Sequence, residues 1–286
     1  MILLKQRVFT AITISLIFTI VLIFFGTNAA LILSAIIILY AGWEWANLAG
    51  YDSNYEKLLF TVAVSVTMIF FNFLMDIHNS APINLDMGTL IFHCLVPWWV
   101  LAIYWIRSYP KGSIFWKSKF AKSLIGLLVL TPTWLSIIIL ISFEYGKYLI
   151  FGVIFIVALS DITAFFVGIR FGKHKLCKNV SPNKTWEGFL GAIAANLILI
   201  IFLGLLLEIN RINLLPLFFL IMATTLSSVI GDLLISMLKR HRGIKDSGYI
   251  LPGHGGVLDR IDGHSIAFPV FTLIFISSNF QFSILN

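Results

Sequence analysis

Residues 147–169 read KYLIFGVIFIVALSDITAFFVGI, with a charge at the first position, Lys147, and a single charge inside, Asp161. A helix rises 1.5 Å per residue, so about 20 mainly apolar residues cross the hydrocarbon layer of a bilayer. This stretch is long enough, and its neighbours show that it is one of a series. Comparable runs lie at 8–25, 29–48, 58–75, 88–106 and 122–142 before it, and at 189–207, 214–236 and 266–284 after it. The chain is 59% hydrophobic and 12% charged, about half the charge of a soluble domain. These figures exclude a soluble enzyme, a disordered tail and a disulfide-stapled secreted domain. The expected fold is an all-α polytopic membrane protein of about nine transmembrane helices. The first run lacks a small-residue cleavage site and is followed at once by a second, so it reads as a retained helix and not a signal peptide.

Positive charge sets orientation. With a cytoplasmic N-terminus, eighteen of the 20 Lys and Arg fall in inside segments, leaving Lys147 and Arg211 outside. The N-terminus is therefore expected in the cytoplasm and the C-terminus outside. The net charge of +7 sits in these short loops, where it serves topology and anionic headgroups; no nucleic-acid partner is expected. Cys94 and Cys177 form neither a disulfide framework nor a zinc spacing. Polar groups concentrate after about residue 155, so residues 1–150 read as transmembrane scaffold and 151–286 as a catalytic region whose site faces the cytoplasm.

Three stretches of the second region carry chemistry. Asp161 is an acid inside a span, which normally faces a partner, a cavity or a metal; the plain alternative is a helix-end carboxylate tethered by a loop lysine. Asp232, Ser236, Lys239 and Arg240 stand at i, i+4, i+7 and i+8, on one helical face. A carboxylate, a hydroxyl and two cations in a stripe suit a metal beside a phosphate, or else a helix-end salt bridge with snorkelling cations. Lys245 to Asp262 reads KDSGYILPGHGGVLDRID, and its Pro252, Gly253, Gly255 and Gly256 exclude a regular helix. Successive glycines let backbone N–H groups approach phosphate. Asp259 and Asp262 are hard oxygen donors suited to Mg²⁺, and His254 can contact phosphate or move a proton. Before the seventh run, Ser181 as N-cap and Pro182 at the first helical position would start a helix whose N-terminus, with Lys184, favours an anion. Trp43, Trp45, Trp98 and Trp99 read as packing or interfacial aromatics.

The run from Ser236 through Leu238-Lys239-Arg240, Lys245-Asp246, Gly248, Leu251-Pro252, His254-Gly255-Gly256-Val257 and Asp259-Arg260-Ile261-Asp262 resembles the signature of the phosphatidate cytidylyltransferases, the CDP-diacylglycerol synthases of bacterial type. The likeness extends to the Asp161 helix, to Ser181-Pro182-x-Lys184-Thr185-x-Glu187-Gly188 and to Gly231-Asp232, about residues 155–265 in all. It implies transfer of a cytidylyl group from CTP to phosphatidate, giving CDP-diacylglycerol and pyrophosphate, with Mg²⁺ required; whether a second, monovalent cation shares the site is left open by the sequence. It also implies a metal centre held by aspartates, carried here onto Asp232 and Asp259 with Asp161 as a third member.

The residues agree with that chemistry. A phosphate monoester is already nucleophilic, so the obstacle is the meeting of two polyanions, which cations relieve. Asp232, Asp259, Lys239 and Arg260 are the expected catalytic residues. Ser181, Lys184, Ser236, Arg240, Lys245, Asp246, His254, Gly255, Gly256 and Asp262 are the expected substrate contacts. CTP, phosphatidate and membrane lipid are the expected partners in a multi-pass protein of the cell (inner, cytoplasmic) membrane, and a homodimer is compatible with this reading. The rivals are a CTP-dependent polyprenol or phytol-type lipid kinase, which would release CDP and not pyrophosphate, and a cation-coupled transporter.

Overall fold

The computed structural model describes residues 26–76, 83–207, 211–250 and 255–278. Seven of its helices are long and apolar enough to cross a membrane. They are α1 (Gly26–Ala49), α2 (Asn54–Leu74), α3 (Leu85–Ser108), α4 (Lys119–Ile141), α5 (Gly146–Phe171), α6 (Trp186–Leu206) and α7 (Arg211–Arg242). Two shorter helices follow, α8 (Leu258–Ile261) and the apolar α9 (His264–Ser277). The expected span at 8–25 lies outside the described residues, as do residues 279–284 of the one expected at 266–284.

Helix starts follow side-chain capping. Ser53 and Glu56 form a reciprocal capping box on α2, Asn84 caps α3 through Met87 N, and Ser118 caps α4 through Ala121 N. The most enclosed span is α4, with 83% of its apolar window buried. It contributes to both apolar clusters, one shared with α1, α2, α3 and α7, the other with α1, α5, α7 and α9. Pro132 interrupts its ladder, and nearby hydroxyls take up backbone acceptors there: Ser136 Oγ donates to Pro132 O and Thr133 Oγ1 to Val129 O, both at 2.7 Å. Thr133 Oγ1 also lies 2.8 Å from Ser265 O, tying α4 to α9.

The all-helical expectation holds for the bundle, to which the described residues add one short antiparallel hairpin: β1 (Lys175–Cys177) pairs with β2 (Ser181–Thr185). Ser181 is therefore not an N-cap. The cap of α6 is Thr185, whose hydroxyl accepts from Gly188 N at 3.1 Å. Pro182 costs nothing in a strand with a free edge, and the helix begins only where the apolar run begins. Glu187 then accepts from His174 Nδ1 at 2.7 Å, closing the base of the hairpin. The helix so started lies very close to α5, because a side chain at Gly188 would meet Ala164 O at 2.6 Å and one at Gly191 would meet Val167 at 2.7 Å. Such small-residue contacts are how membrane helices approach without a hydrophobic drive. Across the same interface Asn196 Nδ2 donates to Ser160 Oγ at 2.9 Å.

Candidate active site

The site is built on the last turns of α7. Asp232 and Ser236 share a face as their spacing requires, and Ser236 Oγ donates to Asp232 Oδ1 at 3.1 Å. The helix runs past the apolar run to Arg242, then stops at Gly243, whose φ of 79° only glycine adopts without strain. Ile244 N reaches back to Lys239 O at 3.0 Å, a Schellman-type end. That turn releases the chain into the irregular segment the glycines and proline predict.

Two carboxylates hold this segment. Asp259 Oδ1 takes the Lys239 ammonium at 2.7 Å. Its Oδ2 accepts from Ser247 N at 2.8 Å and Gly256 N at 3.0 Å, and the Ser247 hydroxyl lies 3.0 Å away. The second carboxylate, Glu44, comes from α1. It is 2% exposed and accepts from Leu258 N at 2.8 Å, Val257 N at 3.0 Å and Ser247 Oγ at 3.0 Å. Ser247 has one hydroxyl proton for the two acids. A side chain at Gly256 would strike the Glu44 carboxylate at 2.2 Å, so this glycine is needed for close approach to a protein carboxylate.

The hairpin supplies the third side. From β2, Lys184 Nζ meets Asp232 Oδ2 at 2.5 Å, and it feels the charges of Asp161 and Asp262 as well. Burial alone would lower the Lys184 ammonium's pKa, but Asp232 and Asp161 outweigh it and hold it above the ordinary lysine value. Asp161, on α5, interacts with both Asp232 and Lys184. Asp262 follows α8, and a side chain at Gly231 would meet its carbonyl at 2.5 Å, so α7 and this turn touch backbone to backbone. Burial and then the Asp232 carboxylate push the Asp262 carboxyl well above the usual carboxylate range. Asp161, Asp232 and Asp262 thus form an acidic group crossed by Lys184 and Lys239. Asp232 and Lys184 keep about a quarter of their side-chain surface accessible, 24% and 26%.

Of the other expected site residues, Arg240 turns away from the stripe, its Nε donating to Val180 O at 3.2 Å. Being at i+8 from Asp232, it has already rotated toward the hairpin. Ser181 stands opposite Cys177 in the hairpin. Lys245 is exposed and Asp246 half-buried, the latter beside Gly255, whose φ is 83°. His254 lies outside the described residues. Arg260 and His264 are among the residues lining a mostly apolar cavity of about 100 Å³, with Ile37, Thr133, Ile137, Ile154 and Phe268.

For a metal, the donor chemistry is divided. Among the described residues no three acids, histidines or cysteines are arranged to grip one ion. Mg²⁺ usually takes only one or two carboxylates and completes its shell with water and substrate phosphates. Asp232, with Asp161 and Asp262 about it and part of its surface open, fits that demand. Both aspartates have protein donors on both oxygens, Ser236 and Lys184 on Asp232 and Lys239, Ser247 and Gly256 on Asp259; what sets Asp259 apart is enclosure, its side chain being 6% exposed.

Fold and site together define a polytopic membrane protein that gathers cations and carboxylates at one end of its helices. The chain belongs to the Cytidylyltransferase family, whose model matches residues 5–278; it is a nucleotidyltransferase. It is 36% identical to the phosphatidate cytidylyltransferase of Pseudomonas aeruginosa over 249 residues, 87% of this chain and 88% of that one. It is 34% identical to that of Haemophilus influenzae over 285 residues, 95% and 98% of the two chains. To the Bacillus subtilis protein of the same name it is 43% identical over 129 residues, 44% of this chain and 46% of that one.

Proposed function

We propose that this chain transfers the cytidylyl group of CTP to phosphatidate, giving CDP-diacylglycerol and pyrophosphate, in a Mg²⁺-dependent reaction at the cytoplasmic face of the cell membrane. The observation that carries the reading is the Lys184–Asp232–Ser236 contact at a membrane-helix end, with Asp161 and Asp262 around it. In the reaction a phosphatidate oxygen forms a bond to the α-phosphorus of CTP, and the bond from that phosphorus to the α,β-bridging oxygen breaks. No side chain needs to take a proton from the nucleophile. Lys184 and Lys239 neutralise charge that grows on the leaving pyrophosphate, and Arg260 holds the lipid phosphate with the apolar cavity beside it taking hydrocarbon. Arg240, Lys245, Asp246 and Ser181 lie further out and attract or orient the nucleotide, and His254 shares that role.

Mg²⁺, when bound, neutralises the triphosphate and makes the α-phosphorus more electrophilic. Asp232 would hold it with Asp161 or Asp262, exchanging its Lys184 contact for the ion and freeing that ammonium for substrate phosphate. Asp259 would join only by releasing Lys239, and otherwise orders the 245–262 segment. The topology of about nine spans, N-terminus inside and C-terminus outside, is part of the same proposal. It rests on the eighteen-to-two division of Lys and Arg. The test is the fate of label: phosphorus from the α-position of CTP should move into the lipid phase. Label entering lipid from the γ-position would establish a lipid kinase instead.

A further inference from the structure

The catalytic segment leads straight into α9. Asp262 and Gly263 keep helical backbone angles, φ −55° and −64°, so α8 and α9 follow one helical path. Arg260, His264 and Phe268 therefore stand at i, i+4 and i+8 on one face, and all three line the mostly apolar cavity. The rings of His264 and Phe268 are 6.2 Å apart. Going inward from the acidic group, that face presents a cation, a polar ring and then hydrocarbon, about 6 Å of helix rise per step.

His264 has hydrogen-bonding capacity to spare. Its Nδ1 is buried and has no hydrogen-bond partner among the described residues. Arg260 O, one turn back, acts on the ring without hydrogen-bond geometry at Nδ1. The two hydroxyls that line the cavity are already spent. Ser34 Oγ donates to Leu31 O at 2.7 Å, and Thr133 Oγ1 lies 2.7 and 2.8 Å from Val129 O and Ser265 O. Isoleucines from α1, α4 and α5 make up most of the remaining wall. An imidazole without a partner beside such a wall is costly unless a ligand completes its hydrogen bonding.

We infer that His264 is a specificity-determining residue that donates a hydrogen bond to an acyl-ester carbonyl of the lipid substrate. The inference rests on the reading of phosphatidate as that substrate. In phosphatidate the order of groups is phosphate, ester, chain, and the helix face offers Arg260, His264, Phe268 in the same order. An ester carbonyl only accepts, so it suits an imidazole N–H. Size agrees: the cavity of about 100 Å³ is smaller than the roughly 150 Å³ apolar cavity that holds benzene. It takes an ester group and the first methylenes of a chain, and the rest of the chain lies in the bilayer. An ether-linked lipid has the same phosphate and chains but no carbonyl, so it leaves the imidazole unpaired and is the poorer substrate.

The test compares dioctanoyl phosphatidate with its dioctyl ether analogue on the purified full-length protein. One arm reads kcat/KM for cytidylyl transfer from CTP; the other reads binding of each lipid without CTP, by native mass spectrometry. Wild type should prefer the ester about fivefold in both arms, the effect of one neutral hydrogen bond. The ester-to-ether ratio should fall to about one in His264→Phe and in the smaller His264→Leu. His264→Asn keeps an N–H near the same place and should retain part of the preference. A wild type that handles the two lipids alike overturns the inference. So does an unchanged ratio in His264→Phe and His264→Leu, which is what a purely structural role would give. Transfer to neither lipid would sink the phosphatidate reading itself, and the binding ratio would still decide whether His264 reads the ester.

Discussion

Asp232 is the residue on which most depends. Replacing it by Asn keeps the Ser236 contact but removes the charge that meets Lys184 and a metal, so activity should fall about 10²–10³-fold while the protein still purifies folded. Ser236→Ala removes one neutral donor and should cost no more than about tenfold. The Lys184 ammonium is held above its ordinary value of 10.5 by Asp232 and Asp161, against burial. A cation with a raised pKa contributes stability that is full below the ordinary value and is lost as pH rises through the raised one. The difference in unfolding temperature between wild type and Lys184→Met should accordingly not shrink from pH 6 to 9. A difference that shrank between pH 7 and 9 would contradict the pairing. Glu44 is the residue the sequence conceals. It stands between Trp43 and Trp45 in a run read as scaffold, yet it is the one charge in α1. The rule that singled out Asp161, an acid inside a span, would have found it. Glu44→Ala leaves two backbone donors of the catalytic segment, Val257 N and Leu258 N, unsatisfied, about 1–3 kcal/mol each, and should abolish activity and lower the unfolding temperature. Glu44→Gln should recover the stability but only part of the rate.

At the scale of elements, apolar length located the helices well, because burial in lipid demands a long uninterrupted run. It missed the continuation of α7 beyond 236, since Lys239, Arg240 and Arg242 are polar although good helix formers. It missed the hairpin because strands of three and five residues, with Leu176 and Cys177 as the apolar members, are too short to show apolar alternation. Ser181 and Thr185 are both competent caps, and only the start of the apolar pattern at Trp186 chooses between them. The convergence of Asp161, Asp232 and Asp262 was not readable from spacing, because three different elements carry them. Gly256→Ala tests how tightly the elements meet. Its added methyl collides with Glu44, so cytidylyl transfer should be lost with helical content, followed by circular dichroism, unchanged. Normal activity in that variant would show that the segment need not rest on α1.

For the molecule as a whole, the proposed topology, which rests on the division of positive charge, has the hairpin inside and the α4–α5 turn outside. In a chain with Cys94 and Cys177 replaced by Ser, cysteine at the exposed Glu144 should react with a membrane-impermeant maleimide on intact cells. Cysteine at the exposed Lys178 should react only after lysis, and the reverse pattern would invert the topology. The central claim is that cations and carboxylates at the helix ends serve nucleotidyl transfer to a lipid phosphate. Its most direct measurement is pyrophosphate release by the purified protein given CTP and phosphatidate, with Mg²⁺ or with EDTA. The account predicts release only when CTP, phosphatidate and Mg²⁺ are all present; CDP in place of pyrophosphate, or release that ignores phosphatidate, would contradict it.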